Sequence, residues 1–418
     1  MLEKGFVFMK KVLKLSARAE VEHANGDERQ CVKLNFQYFK DGKPNPGGNV
    51  IIYRREEPGY VFDYDESEYF DCMLPNEEDI IFNGTLEVEN TYCIYTDYDI
   101  EIGKVYVYWV GRESFGKYLT GPAPVTVRDA RVWWSYEKII ETEYELQRNY
   151  PSVMLKQVGA TVYGKELNAL LVGNQKNMIA CIGAIHAGES GPEILLNVLS
   201  EMLSENPHVF DKCGLAVLPI VNADMRDAMV KGAPWYIRTN AKGVDLNRNF
   251  DANWNITEYG YNLSTADYRS PTYRGPYPHS EPEVRAVADF IELVKPCALF
   301  SFHYLCSIAS DKLISSKFSA DDAEYKAKLE YAKRIYSDAF RDAIGKPRLA
   351  NCEPELTSSS GGLATYMYQR GVIAFDLEFK GDVEEFFDCK RDKTTFEMLE
   401  LAIRGHKAAL LKMIDINS

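Results

Sequence analysis

Near residue 128 the chain changes its hydrophobic period, and that change restricts the fold more than any other feature of the sequence. From about residue 10 to 127, VKLNFQYF, NVIIYRR, TYCIYTDY and KVYVYWVG alternate apolar with polar residues and are separated by Gly, Pro, Asn and Asp. Period two with turn signals at such spacing predicts short antiparallel strands, and hence a small β-sandwich over residues 1–127. TGPAP at 120–124 reads as the way out of that unit. Residues 128–418 alternate apolar runs with helical patterns, the signature of an α/β sheet. Strands are expected at 169–172, 178–185, 215–221, 298–303 and 372–379, and their near-continuous hydrophobicity implies burial on both faces. EKIIETEYELQRNYP is helical up to the residue before Pro151. The clearest other helices are GPEILLNVLSEMLSE, DAEYKAKLEYAKRIYSDAFRDAI and TTFEMLELAIRGHKAALLKMI.

Composition narrows the function classes. A net charge of −14 over 418 residues argues against nucleic acid and against anionic membrane surfaces, because both reward clustered Lys and Arg. Nine cysteines form no CxxC pair and no disulfide-framework spacing, which together with their apolar settings points to a reducing compartment. The first residues, MLEKGFVFMKKVLKL, contain no apolar run long enough for a signal-peptide core, and no window approaches a membrane span. A cytoplasmic protein is expected.

In an open α/β sheet, ligands gather outside the carboxyl ends of the strands. His186 and Glu189 follow the run KNMIACIGAI, His303 closes CALFSFH, and Glu378 ends GVIAFDLEF. A loop after LAVLPIVNAD supplies Arg238, Asn247 and Arg248 in YIRTNAKGVDLNRNF. His-x-x-Glu with a distant His makes a three-ligand zinc site that leaves one position for water. A further carboxylate must then move the water's proton, and Glu378, partly desolvated on an apolar strand, is the candidate. Taken singly, each motif has an ordinary explanation. His-x-x-Glu arises by chance, a histidine on an apolar strand is usually core, DLNRNF can be a turn, and Glu378 can pair with a buried Arg.

Taken together and in this order, GAIHAGE, GVDLNRNF, SPTYRGPYPHSEPE, SFH and an apolar strand ending in Glu resemble the zinc carboxypeptidases of the carboxypeptidase A/B type. The resemblance covers about residues 130 to 418. It implies a mixed, mostly parallel twisted sheet flanked by helices and one zinc per chain held by His186, Glu189 and His303. It also implies Glu378 as general base, Arg238 as oxyanion stabiliser, and Asn247 with Arg248 as the pair that binds a substrate's terminal carboxylate. The segment DIEIGKVYVYWVGRESFGKYLTGPAPVTVRD resembles the last strands of a fibronectin type III or immunoglobulin-like module.

The sequence also departs from that family. Thr357 stands where a substrate-capping tyrosine is expected, four residues before the Gly-Gly of SSSGGLATYMY, with Tyr366 and Tyr368 as substitutes from the next turn. Gly188 occupies the position of a substrate-contacting Arg in the digestive enzymes, and the pocket floor falls near Ala364, which carries no charge to select a basic residue. His279 reads as a loop residue, and His23, His208 and His406 as histidines in polar or helical contexts without partners. The expected partner is a peptide with a free C-terminal carboxylate. Within the same chemistry stand γ-D-glutamyl-diamino acid peptides derived from peptidoglycan and, as a rival, N-acyl amino acids cleaved by a zinc deacylase. A carboxypeptidase fold that only binds peptide carboxylates is the reading from a different class.

Overall fold

The structure, a computed structural model, describes residues 14–24, 27–37, 39–40, 43–44, 49–57, 73–89, 92–111, 119–234, 236–304, 312–345, 355–379 and 396–418. It divides into two compact units. The first comprises Met1–Ala130, Val230–Trp235 and Lys390–Asp392, and the second comprises Arg131–Met229, Tyr236–Cys389 and Lys393–Ser418. The expected segments around 1–13, 58–72, 112–118 and 380–395, including Cys72 and Cys389, lie outside the described residues.

In the first unit, the strands Lys14–Ala24, Asp27–Gln37, Tyr92–Asp97 and Val88–Glu89 form one antiparallel sheet in that order. Thr120–Thr126, Val105–Gly111, Val50–Glu57 and Ile80–Gly84 form a second. One core draws on both: Val32, Leu34, Phe36 and Cys93 meet Val50, Ile52, Tyr106, Tyr108, Val110 and Val125. The run VYVYWVG buries both faces, since Val105, Val107 and Trp109 enter a second cluster with Ile51 and Tyr53. TGPAP is not the exit from the unit. It lies within the edge strand Thr120–Thr126, where the pairing register shifts between Thr120 and Ala123. Prolines are tolerated on an edge strand and at a bulge, where no ladder donor is lost.

The second unit is an eight-stranded mixed sheet. Its strands are β1 (Val153–Ala160), β2 (Glu166–Val172), β3 (Met178–Gly183), β4 (Gly214–Leu218), β5 (Ala298–Tyr304), β6 (Lys312–Ser316), β7 (Glu355–Ser358) and β8 (Ile373–Phe379). In these labels the order across the sheet is β1-β2-β4-β3-β5-β8-β6-β7. The central run β4-β3-β5-β8 is parallel, and β1, β2 and β6 join antiparallel to their inner neighbours. The helices are α1 (Tyr136–Asn149), α2 (Pro192–Glu205), α3 (Ala223–Val230), α4 (Pro282–Val294), α5 (Ala323–Ile344), α6 (Leu363–Tyr368) and α7 (Phe396–Ile416). β3 ends at Gly183, two residues before the expected boundary, because Ala184 adopts φ 47° and turns the chain out of the ladder.

All four central strands run in the same direction, so their carboxyl ends share one edge. β3 leads into the His186 loop, and β5 and β8 set His303 opposite Glu378 in register. No described helix is long and apolar enough to cross a membrane.

Candidate metal centre and active site

His186, Glu189 and His303 converge, each offering a ligand atom within 4.8 Å of the others, and all three are buried. His186 Nδ1 lies 2.8 Å from Glu189 Oε1, and His303 Nδ1 lies 2.9 Å from Glu189 Oε2. Burial would raise the Glu189 carboxyl, but the two imidazoles hold it well below the usual carboxylate range. Burial equally opposes a charge on His303, yet the carboxylates of Glu189 and Asp376 carry it well above an ordinary imidazole.

These residues fit a zinc ion on a feature of the structure itself. Glu189 Oε2 is buried and makes no hydrogen bond, although an imidazole nitrogen stands beside it. A buried carboxylate oxygen left unpaired is costly, and a cation held by two imidazoles and that oxygen removes the cost.

The outer groups orient the inner ones. His186 Nε2 faces Asp245 Oδ1 at 3.1 Å, and Arg238 Nε donates to Asp245 Oδ2 at 2.7 Å. Asp245 also caps the turn of DLNR by accepting from the Asn247 amide at 3.0 Å. Burial would raise Asp245, but Arg238 and Arg248 hold it low and ionised. His303 Nε2 lies 3.1 Å from Ser301 Oγ and 3.5 Å from Asp376 Oδ1. Such carboxylate–imidazole pairs fix the tautomer and raise ligand basicity.

Glu378 sits beside this cluster, one strand over from His303 and 9% exposed. Burial pushes its carboxyl up to about 8, with His303 and Arg238 pulling down and Glu189 and Asp376 pushing up. A carboxyl held near neutrality can exchange its proton in the range where general acid–base catalysis is most effective.

Asn247 and Arg248 are fixed by the Gly-Gly loop. The Asn247 Oδ1 accepts from the Leu363 amide at 2.7 Å, and the Phe250 amide donates to the Gly361 carbonyl at 3.0 Å. Gly361 has φ 69°, and a Cβ there would stand 2.1 Å from the Arg248 carbonyl oxygen. Only glycine allows both the conformation and the approach. Asn247 Nδ2 donates to Asp376 Oδ2 at 3.2 Å.

Several expectations change here. Neither substitute for the capping tyrosine faces the centre. Tyr366 is buried against Phe250 and His279 with the Arg370 guanidinium 3.4 Å over its ring, and the Tyr368 hydroxyl reaches Asp322. Thr357 is exposed at the end of β7. His406 does have a partner, since α7 turns it into the core, where its Nδ1 lies 2.6 Å from the Tyr336 hydroxyl. Its burial among Phe302 and Phe340 moves its pKa down to about 3. Ala364 is buried and uncharged, but the centre contains a carboxylate that the sequence reading left out. Asp376 is 5% exposed and has an oxygen without a hydrogen bond. Asp245 and Tyr236 were also missed. The first lay inside a quoted motif. The second donates its hydroxyl to Glu189 from 47 residues away, which leaves no local signal.

A mixed α/β sheet with a buried His-Glu-His cluster at its parallel strand ends, and a carboxylate raised towards neutrality beside it, is the framework of a metal-dependent hydrolase. The model of the zinc carboxypeptidases matches residues 139–396, and the chain belongs to that family. The human carboxypeptidase N catalytic chain is 31% identical over 192 residues, 40% of this chain and 40% of that one. Gamma-D-glutamyl-L-diamino acid endopeptidase 1 of Lysinibacillus sphaericus is 24% identical over 204 residues, 41% of this chain and 50% of that one. The matches thus span half or less of these curated relatives. A solved metallo-carboxypeptidase from Burkholderia cenocepacia shares the fold over 97% of this chain and 100% of its own, with TM-score 0.54 and 16% identity.

Proposed function

We propose that the chain is a zinc metallocarboxypeptidase that hydrolyses the C-terminal amide bond of a peptide. The observation that carries this reading is the convergence of His186, Glu189 and His303 with Glu378 in register on the adjacent strand. When bound, zinc supplies Lewis acidity, lowering the pKa of water and polarising the scissile carbonyl. Glu378 takes the proton of the attacking water and delivers it to the leaving amine. Arg238, held by Asp245, offers a permanent cation to the developing oxyanion. Arg248, with Asn247 beside it, binds the substrate's terminal carboxylate, for which a guanidinium fork is suited. The first unit, read as a β-sandwich because one core lies between its sheets, carries no chemistry in this scheme. A cytoplasmic location accords with the five described cysteines, all of them free.

One observation favours a narrower substrate. One relative, 24% identical over 204 residues, is named a gamma-D-glutamyl-L-diamino acid endopeptidase, which makes peptides of that class the alternative substrate. The test is a substrate screen that pairs ordinary C-terminal peptides with γ-D-glutamyl-diaminopimelate peptides, monitoring release of the terminal amino acid. Turnover of neither, by protein loaded with zinc, defeats the proposal, and no turnover of N-acyl amino acids run alongside leaves a binding module. Turnover only of N-acyl amino acids favours a deacylase.

A further inference from the structure

The turn between the first two candidate ligands is built around a side chain that the family reading leaves without a role. Tyr236 is buried, and its hydroxyl donates to Glu189 Oε1 at 2.6 Å. The ring lies against Gly188, where a Cβ would come within 2.3 Å of the Tyr236 Cδ2. The Gly188 amide donates to the Ile237 carbonyl at 2.8 Å, so backbone pairing brings the two segments to this separation. The missing side chain at 188 is therefore what admits the phenol, and the phenol ends on a candidate metal ligand.

The two oxygens of Glu189 are treated differently. Oε1 has the phenol and, at 2.8 Å, His186 Nδ1. Oε2 has no hydrogen bond and stands 2.9 Å from His303 Nδ1. A ring nitrogen that ligates a metal can no longer donate to Oε1. The phenol keeps its proton and its bond, which becomes the remaining hydrogen bond recorded on that oxygen.

We propose that Tyr236 is a positioning residue of the metal centre. Its hydroxyl anchors Glu189 through Oε1 and so presents Oε2 to the ion between His186 and His303. The inference rests on the reading of these three residues as a zinc site. A phenol–carboxylate bond is charge-assisted and short, and groups that orient a ligand in this way typically carry about 10- to 100-fold in metal affinity.

The test compares zinc dissociation constants of the full-length wild type, Tyr236→Phe and Gly188→Ala, by competition with a chromogenic chelator, and the visible spectra of their cobalt(II) forms. Circular dichroism checks that each variant is folded. Tyr236→Phe should bind zinc about 10- to 100-fold more weakly and shift the cobalt bands. Gly188→Ala, which keeps the hydroxyl but displaces the ring, should weaken zinc in the same direction. A folded Tyr236→Phe with wild-type zinc affinity and an unchanged cobalt spectrum overturns the inference while leaving the zinc site standing. So does weakening by Gly188→Ala alone, which would assign the effect to ring packing. A wild type that takes up no zinc overturns the metal reading and this inference with it.

Discussion

Each unit buries a cluster of charged groups, and the two clusters are built on opposite principles. In the first unit, Asp97 accepts from Arg54 at 3.2 and 3.0 Å, from the Asp99 amide at 3.0 Å and from the Tyr108 hydroxyl at 2.9 Å. Each of its oxygens has two donors and its charge has a guanidinium. In the second unit, Glu189, Asp245, Asp376 and Glu378 gather around two imidazoles and two guanidinium groups, and Glu189 Oε2 and Asp376 Oδ1 have no hydrogen bond. A satisfied cluster holds two sheets together. A cluster that leaves buried carboxylate oxygens without hydrogen bonds has room for a further cation, and that is the physical difference between a structural network and a candidate site.

The strongest challenge to this contrast is His303→Ala. With two ligands left the ion should be lost, and metal analysis should find no zinc in the folded variant. Full zinc occupancy there would show that the cluster is not the metal site. Glu378→Gln should retain zinc and substrate affinity while turnover falls by about 10²- to 10⁴-fold, since the amide cannot accept the proton. A variant near wild-type turnover makes Glu378 structural, and one without zinc makes it a ligand. Amidating the peptide's C-terminus should cost about 10- to 100-fold in kcat/KM through loss of the charge-assisted contact to Arg248. Equal turnover of acid and amide points to an endopeptidase or a deacylase.

In the satisfied cluster, Asp97→Ala should lower unfolding stability by about 3 kcal/mol, because it leaves Arg54 without its buried partner. Zinc content and kcat should not change. If they do, the two clusters are not separable in the way described.

The smallest effect tests buried charge without any metal. Glu143 in α1 accepts from Asn168 at 3.0 Å, has a second oxygen without a partner, and is pushed up to about 8 by burial. The native state therefore holds its proton more tightly than the unfolded chain. Stability from this group is complete below the unfolded value near pH 4 and declines as pH rises to about 8. Glu143→Gln should abolish that decline, raising Tm by a few degrees at pH 8 and by less at pH 5. An equal shift at both pH values would mean that Glu143 is not protonated in the fold.

Much of this arrangement was legible in the sequence, for identifiable reasons. β3, β4, β5 and β8 are buried on both faces, so they appear as continuous apolar runs. His186, Glu189, His303 and Glu378 fall just beyond or at the ends of such runs. β1 was not legible, because its pattern of buried and exposed residues is irregular and contains a register shift. Neither were β6 and β7, which are short and partly polar. Asp376 escaped notice as one acid in an apolar strand, where nothing local distinguishes a site residue from a paired one. Tyr236 and Gly188 meet only once the chain has returned through β4 and α3. The contact that admits one by the smallness of the other is invisible in either segment alone.

The pairing of His303 with Glu378 across β5 and β8 has one more consequence. The separation between a candidate metal ligand and the proposed base is held by a hydrogen-bond ladder and not by a loop, so it is encoded as parity. Inserting or deleting one residue within β8 would exchange Glu378 for an apolar neighbour and turn the carboxylate to the opposite face of the sheet, with little change to the strand itself. Chemistry written in this way depends on the count of residues along a strand as well as on their identity, which leaves β8 among the segments least able to vary in length.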